Sequence, residues 1–142
     1  HLTEKETRDL VVLMAGINHI ENTGDLISLS MVDLAKRRIA QGARITPEVQ
    51  AKLVDYHGWV VKATKLSHKA LTEQDIESAR TVIAMKEDFN DMADATVLDE
   101  ARALAGKDPQ LIHAYSTLIE TLDKFKRIFY YARRTARRVV PK

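Results

Sequence analysis

Residues 111–139, with the sequence LIHAYSTLIETLDKFKRIFYYARRTARRV, decide the fold class of this chain. Their apolar side chains recur at steps of three and four over the whole stretch, which is the spacing of one face of a helix packed in a bundle. This stripe consists of Leu111, Tyr115, Leu118, Leu122, Phe125, Phe129, Ala132, Ala136 and Val139. Asp108 and Pro109 begin the helix, and Pro141 marks its end, because proline suits the first helical position and cannot continue a helix.

Two further helices are predicted in the first half of the chain. Thr3, with a glutamate three residues later, forms a capping box that opens a helix running toward Gly42. Thr46 and Pro47 supply the cap and the first residue of a second helix, which ends near Leu71. The first apolar stripe is Leu10, Leu13, Ile17, Ile20, Gly24, Ile27, Met31 and Leu34, and the second is Val49, Leu53, Tyr56, Val60, Ala63 and Ala70.

A third helix is expected between these and the last one. Thr72 opens it, with Asp75 near the positive end of the helix dipole, and Gly106 closes it. Its stripe is Ile76, Ala79, Val82, Met85, Phe89 and Met92. Helices with one apolar stripe each and short connections bury those stripes against one another as antiparallel neighbours. The sequence therefore predicts an all-α fold, a single domain of 142 residues built as an elongated antiparallel bundle of four long helices.

The amino-acid composition excludes several kinds of partner and site. The 22 Lys and Arg nearly balance the 20 Asp and Glu, so the net charge of +2 does not indicate nucleic acid. The absence of cysteine excludes disulfides, thiolate metal sites and cysteine nucleophiles, and it fits a reducing cytoplasm. No apolar run approaches the roughly 20 residues needed to cross a bilayer. Because the chain begins with His1 rather than Met, its parent is expected to be longer.

An acidic pair on the first helix is the first candidate site. Glu21 and Asp25 are one turn apart on one face, where like charges repel unless a cation neutralises them. Carboxylate oxygens suit Mg, Mn, Ca or Fe. Gly24, in the apolar stripe, favours close approach of another helix or an ion, or else a kink, and His19 is an outside candidate ligand. The alternative is a solvated polar flank of the helix.

A second acidic run on the third helix contains Glu87 and Asp91, again one turn apart. Lying opposite Glu21 and Asp25, it would complete a metal site. The alternative is a solvated charged face, which is the commoner role of such runs.

A basic and aromatic run on the last helix is the second candidate site. Its main members are Lys126, Arg127, Arg133, Arg134 and Arg137. Facing outward, they would bind phosphate, anionic lipid or an acidic partner; facing the third helix, they would form ion pairs with its acids. No DNA-binding or RNA-binding signature accompanies them, so no nucleic-acid partner is predicted.

Catalysis has no support in the sequence. There is neither a Gly-rich phosphate loop nor a nucleophile elbow. A carboxylate-bridged metal enzyme built in a helical bundle uses Glu-x-x-His pairs, and no glutamate stands three residues before any histidine here. The chain is therefore predicted not to be an enzyme.

Three segments, taken in order, resemble the PhoU family. Residues 9–26 contain Asp9-Leu10 and then INHIENTGDL, which is similar to the family's signature helix, where an acidic residue, three others and an Asp follow a helical run. Residues 79–88 and the Leu122 to Ile128 segment are similar to later helices of the PhoU-like cytoplasmic region of sodium/phosphate cotransporters. The likeness covers most of the chain.

The resemblance implies tandem three-helix units and a metal motif. Residues 1–42 would be the last helix of one unit, and residues 46–140 would be a complete second unit. Glu21 and Asp25 would match the metal-motif positions, with divalent Fe, Mn, Mg or Zn as cofactors. Where the second unit would carry its own acidic pair, this sequence has Lys126 and Tyr130.

The resemblance also implies a function. The chain would be a regulatory or accessory domain of phosphate transport, namely the cytoplasmic PhoU-like part of a sodium/phosphate cotransporter. As part of that longer membrane protein, it would lie at the inner face of the plasma membrane, in contact with the membrane domain of the transporter or another transport component. Two alternatives stay open: a structural module that forms homodimers, and a helical domain that binds a membrane surface or anions through its last helix.

Overall fold

The computed structural model describes residues 1–105 and 110–141. Within them the chain forms α1 (Glu4–Asp25), a π-helical segment (Leu26–Met31), α2 (Val32–Ala40), α3 (Pro47–Glu73), α4 (Ile76–Ala84), α5 (Lys86–Leu104) and α6 (Gln110–Val139). The first three segments follow one another without a break, and α4 and α5 are separated by Met85 alone. The described residues thus form four helical rods without a strand, which confirms the predicted all-α bundle.

Two of the predicted helix starts are confirmed in detail. At Thr3 both halves of the capping box are present: the Glu6 backbone N–H donates to Thr3 Oγ1 over 3.2 Å, and the Thr3 backbone N–H donates to the Glu6 carboxylate over 2.7 Å. Thr46 Oγ1 accepts from the Val49 backbone N–H over 3.2 Å. After α2 the chain turns at Gly42, whose φ of 63° is left-handed and suits a residue without a Cβ.

The third rod begins later than the sequence predicted. Helix α3 continues through Glu73, and the Thr72 hydroxyl donates to the His68 carbonyl inside that helix rather than capping the next. Asp75 is the cap instead, since its carboxylate accepts from the backbone N–H groups of Glu77 and Ser78 over 3.1 and 3.2 Å. The prediction of a cap at Thr72 was therefore wrong. Gly106, Asp108 and Pro109, predicted at the next connection, lie outside the described residues.

Helix α6 is the centre of the bundle, because it contacts every other helical segment. The predicted stripes of the last three rods form the core together: every one of their apolar residues is buried or half-buried. The Phe89 and Phe129 rings stack with centroids 4.6 Å apart. The Tyr56 hydroxyl lies 2.7 Å from Thr96 Oγ1, so the buried polar atoms of this pair satisfy each other.

Most of the apolar stripe predicted on the first rod does not face the other helices. Of its predicted stripe, Leu34 is buried and Met31 is half-buried, whereas Leu10, Leu13, Ile17, Ile20 and Ile27 are exposed. The residues of α1 that turn toward the other helices are Val12, Ala15, Gly16, His19 and Thr23. Expecting the first stripe to lie in the core of this chain was wrong, because spacing identifies a stripe but not what it contacts.

The two glycines of α1 have opposite surroundings. A Cβ added at Gly16 would lie 2.4 Å from a methyl group of Leu71, so α1 and α3 approach closely there. A Cβ added at Gly24 would meet nothing within 4 Å. The close approach predicted at Gly24 is therefore at Gly16 instead, and Gly24 lies just before the π-helical segment.

Candidate functional site

An exposed apolar face on the first rod carries the predicted acidic pair. We define this face as Leu10, Leu13, Met14, Ile17, Ile20 and Ile27, whose exposed fractions run from 43% to 62%. Glu21 lies one turn after Ile17, and Asp25 lies one turn after Glu21, so both carboxylates belong to the same side of α1. Both are exposed. The pair therefore borders the exposed apolar face.

The structure does not bring the two predicted acidic pairs together. Glu87 and Asp91 are exposed on α5, and α5 makes no contact with α1. Across the described ranges, no three His, Asp or Glu side chains are close enough to hold a metal ion. His19 is on the opposite side of α1 from Glu21. Because Ca, Mg and similar ions take about six oxygen ligands, these two carboxylates alone do not make a metal site.

The predicted basic run divides into residues with different roles. Lys126 Nζ lies 3.3 Å from Asp94 Oδ1 and links α6 to α5, as the ion-pair alternative expected. Arg134 donates to the Tyr130 hydroxyl over 2.8 Å, and its guanidinium carbon lies 5.5 Å from that ring's centroid. Arg133 is half-buried, and its Nε is buried without a hydrogen-bond partner in the described structure. Arg127 and Arg137 are exposed. No single anion site includes all five.

A cleft lies between α1, α3 and α6. Its volume is about 440 Å³. The lining consists of His19, Ile20 and Thr23 from α1, Thr64, Lys65, Ser67, His68 and Leu71 from α3, and Ile128, Tyr131, Ala132 and Thr135 from α6. The walls are mainly apolar, with hydroxyl and imidazole groups among them. Mostly apolar clefts of about 300–1,000 Å³ with a few polar groups are typical of small-molecule sites.

His19 is hydrogen-bonded inside this cleft. Its Nδ1 lies 2.8 Å from Thr135 Oγ1, which also lies 3.0 Å from the Tyr131 carbonyl oxygen. When the Thr135 hydroxyl donates to that carbonyl, it accepts from His19 Nδ1–H. Burial lowers the pKa of His19, and the charges of Arg134 and Arg138 lower it further. A neutral ring is thus favoured.

Sequence reasoning missed the cleft, although a signal was present. It considered His19 only as an outside metal ligand beside Glu21. Thr64, Ser67, His68 and Leu71 follow helical steps of three, one and three on α3, which places two hydroxyl groups and an imidazole beside an apolar residue on one side of that helix. Small hydroxyl side chains at such positions leave space between helices that leucine would fill.

Comparisons of this chain with protein-family models, curated proteins and solved structures give no significant match. The PhoU-like interpretation therefore depends on the resemblance of its motifs. In the part of the chain that the structure describes, no helix is long and apolar enough to cross a bilayer.

Proposed function

We propose that this chain is a PhoU-like, non-catalytic regulatory or accessory domain of phosphate transport, the cytoplasmic part of a sodium/phosphate cotransporter, which contacts the membrane domain at the inner face of the plasma membrane. The exposed apolar face of α1 is the observation that supports this role most. Apolar surface gathered on one side of a helix, rather than scattered singly, is typical of a protein-interaction site. All residues of the face except Ile27 lie in residues 9–26, the first of the three segments that carry the resemblance.

The exposed apolar face has enough unburied area to drive association. Complete burial of an Ile, Leu or Met side chain contributes about 1.5–3 kcal/mol. Ile17, Met14 and Ile20 each keep more than half of their surface in contact with water, at 62%, 61% and 55%. A partner that covers these side chains therefore gains a substantial part of that energy, and α1 changes from a peripheral helix into an interface helix.

Glu21 and Asp25 would contact the same partner. Two carboxylates surrounded by an apolar interface need a cation or donor groups when water is removed. A divalent ion such as Fe, Mn, Mg or Zn fulfils that need only if the partner supplies further ligands, since this chain contributes two. A positively charged surface on the partner would neutralise the two carboxylates equally well.

Phosphate uptake by cells that express the full-length gene encoding this chain tests this role. In Ile17→Asp, a charge placed in the exposed apolar face should change the rate of phosphate uptake, while sulfate uptake stays the same. Val54→Asp on α3 is the matched control, because Val54 and Ile17 are both 62% exposed. Unchanged phosphate uptake in Ile17→Asp, or an equal change in Val54→Asp, contradicts the role.

A structural dimerisation module is the second candidate, and the same exposed apolar face favours it. A second copy of α1 would cover the face without any transport partner. Light scattering across a range of protein concentrations distinguishes the two candidates. A dimer that Ile17→Asp converts to monomer, together with unchanged phosphate uptake, would support the dimerisation module and contradict the transport role.

A further inference from the structure

The cleft between α1, α3 and α6 has an apolar interior. Ile20, Leu71, Ile128 and Ala132 supply side chains without polar atoms from all three helices. Leu71 and Ile128 are buried, at 5% and 4% exposure, and they form the inner wall. At one end, the close approach of Gly16 to Leu71 brings α1 against α3. The space therefore suits the hydrocarbon part of a ligand rather than a highly hydrated ion.

The polar groups of the cleft are gathered into a few donors and acceptors. His19 Nδ1 is occupied by Thr135, and the Thr23 hydroxyl donates to the His19 carbonyl over 2.8 Å. Lys65 and His68 also line the cleft, from α3. The cleft therefore combines polar groups from all three helices with an apolar inner wall, which suits an amphiphilic ligand.

The charge around the cleft is positive. No Asp or Glu belongs to its lining, whereas Lys65 does. Arg134 and Arg138 are on the same side of α6 as Tyr131 and Thr135, at helical steps of three and four, and their charges reach His19. Among the described residues, none of these three cations lies within 4.0 Å of a carboxylate. A ligand with a negative end would therefore complement this rim.

We infer that the cleft binds a small amphiphilic carboxylic acid, such as a medium-chain fatty acid, with the chain along Leu71, Ile128 and Ala132 and the carboxylate at the cationic rim. The volume of about 440 Å³ accommodates a ligand of this kind. Lys65, which lines the cleft, stabilises the carboxylate directly, and the charges of the two arginines add to this from outside the lining. The alkyl chain replaces water against the apolar wall. Ile20 is shared by this site and the exposed apolar face, and the rest of the lining lies outside that face, so the inference does not depend on the transport role.

Calorimetric titration with three probes of equal alkyl chain, decanoate, decanol and decylammonium, tests the inference. Decanoate should bind best and raise the thermal unfolding midpoint, because a ligand that binds the folded state alone stabilises it. Decylammonium should bind at least about tenfold more weakly. Amide shifts in NMR spectra with decanoate should map to Thr23, Ser67 and Thr135.

Two pairs of variants locate the bound acid. Ile20→Trp blocks the mouth of the cleft and should weaken decanoate binding by about tenfold, whereas Ile17→Trp, on the exposed apolar face, should change it by less than about twofold. Lys65→Gln should weaken binding and reduce its dependence on salt, while Lys62→Gln, one turn away and outside the lining, should do neither. All four positions are exposed, so the fold is expected to persist in each variant.

Three outcomes would overturn the inference. One is no binding of decanoate up to about 1 mM. Another is equal affinity for decanoate and decylammonium, which would show that the rim does not select a negative charge. The third is an equal loss of affinity in Ile17→Trp and Ile20→Trp, which would show that amphiphiles adsorb on the exposed apolar face of α1 rather than entering the cleft.

Discussion

The first and last helical rods carry apolar stripes of the same spacing and use them in opposite ways. Along α6, Leu118, Leu122 and Phe129 are buried at 1%, 2% and 4% exposure. Along α1, Ile17 and Ile20 remain 62% and 55% exposed. The difference shows that periodicity determines which side of a helix is apolar, while the neighbouring helices determine whether that side forms core or surface.

The largest expected effect comes from truncating one side chain on each stripe. Leu118→Ala should lower the free energy of unfolding by about 2–5 kcal/mol, because it removes buried methyl groups and leaves a cavity. Ile17→Ala should change it by less than about 0.5 kcal/mol, because the side chain is mostly in water. Urea denaturation followed by circular dichroism measures both. Equal losses would mean that α1 is buried to the same degree as α6.

Glycine substitutions compare the two sides of α1. Gly24→Ala should raise the free energy of unfolding by about 0.5–1 kcal/mol, since alanine favours the helix and its methyl group meets nothing. Gly16→Ala should lower it by about 1 kcal/mol, because overpacking against Leu71 outweighs the gain in helix propensity. The same urea titration tests both. Stabilisation by both substitutions would show that the contact between α1 and α3 is loose.

Acidification should weaken the contact between α1 and α6 through His19. Its pKa is lowered in the folded chain, so the unfolded chain binds the proton more readily. The contribution of neutral His19 to stability is thus complete above the unfolded pKa of about 6.5 and is lost as the pH falls below it. Thermal midpoints measured from pH 7.5 to about 5 should fall more steeply for wild type than for His19→Gln. Parallel curves would contradict this assignment.

Asp75 provides an internal reference for that experiment at lower pH. Hydrogen bonds from Lys69 and Ser78 lower its pKa from 3.8 to about 2. Its contribution is therefore present above about pH 4 and is lost as the pH falls toward 2, well below the window in which His19 acts. The losses of stability from His19 and from Asp75 can therefore be distinguished in one series of thermal midpoints measured against pH.

The smallest expected effect concerns the acidic pair in the exposed apolar face. Glu21→Gln should raise the free energy of unfolding by about 0.2–0.5 kcal/mol, because it removes a like-charge repulsion between residues one turn apart. High-precision calorimetry at low salt measures the change, and added salt should reduce it. If Glu21→Gln instead lowers the stability, the carboxylate makes a favourable contact that repulsion with Asp25 does not describe.

The sequence predicted the helical rods well where local chemistry decides them. Thr3 and Thr46 act as caps, and the stripes of the last three rods form the core, because capping and amphipathic spacing are local properties. The cap at the third rod was misplaced by three residues. Thr72 and Asp75 are both good caps, and only the length of α3 decides between them.

The candidate sites were harder to predict because they depend on which helices meet. The separation of Glu87 and Asp91 from the acidic pair follows from the lack of contact between α1 and α5 in the described structure. The cleft beside His19 arises where α1, α3 and α6 leave space between small side chains. Neither relation is visible in the spacing of residues along a single helix.

The π-helical segment Leu26–Met31 sets the angle between the two halves of the first rod. There the Val32 backbone N–H bonds to the Ile27 carbonyl, five residues back, so the segment holds a residue more than α-helical winding would. One residue corresponds to about 100° of rotation. Deletion of Ser28 would convert the segment to ordinary α-helix and turn α1 by that angle relative to Leu34, so the number of residues here determines the direction in which the exposed apolar face points.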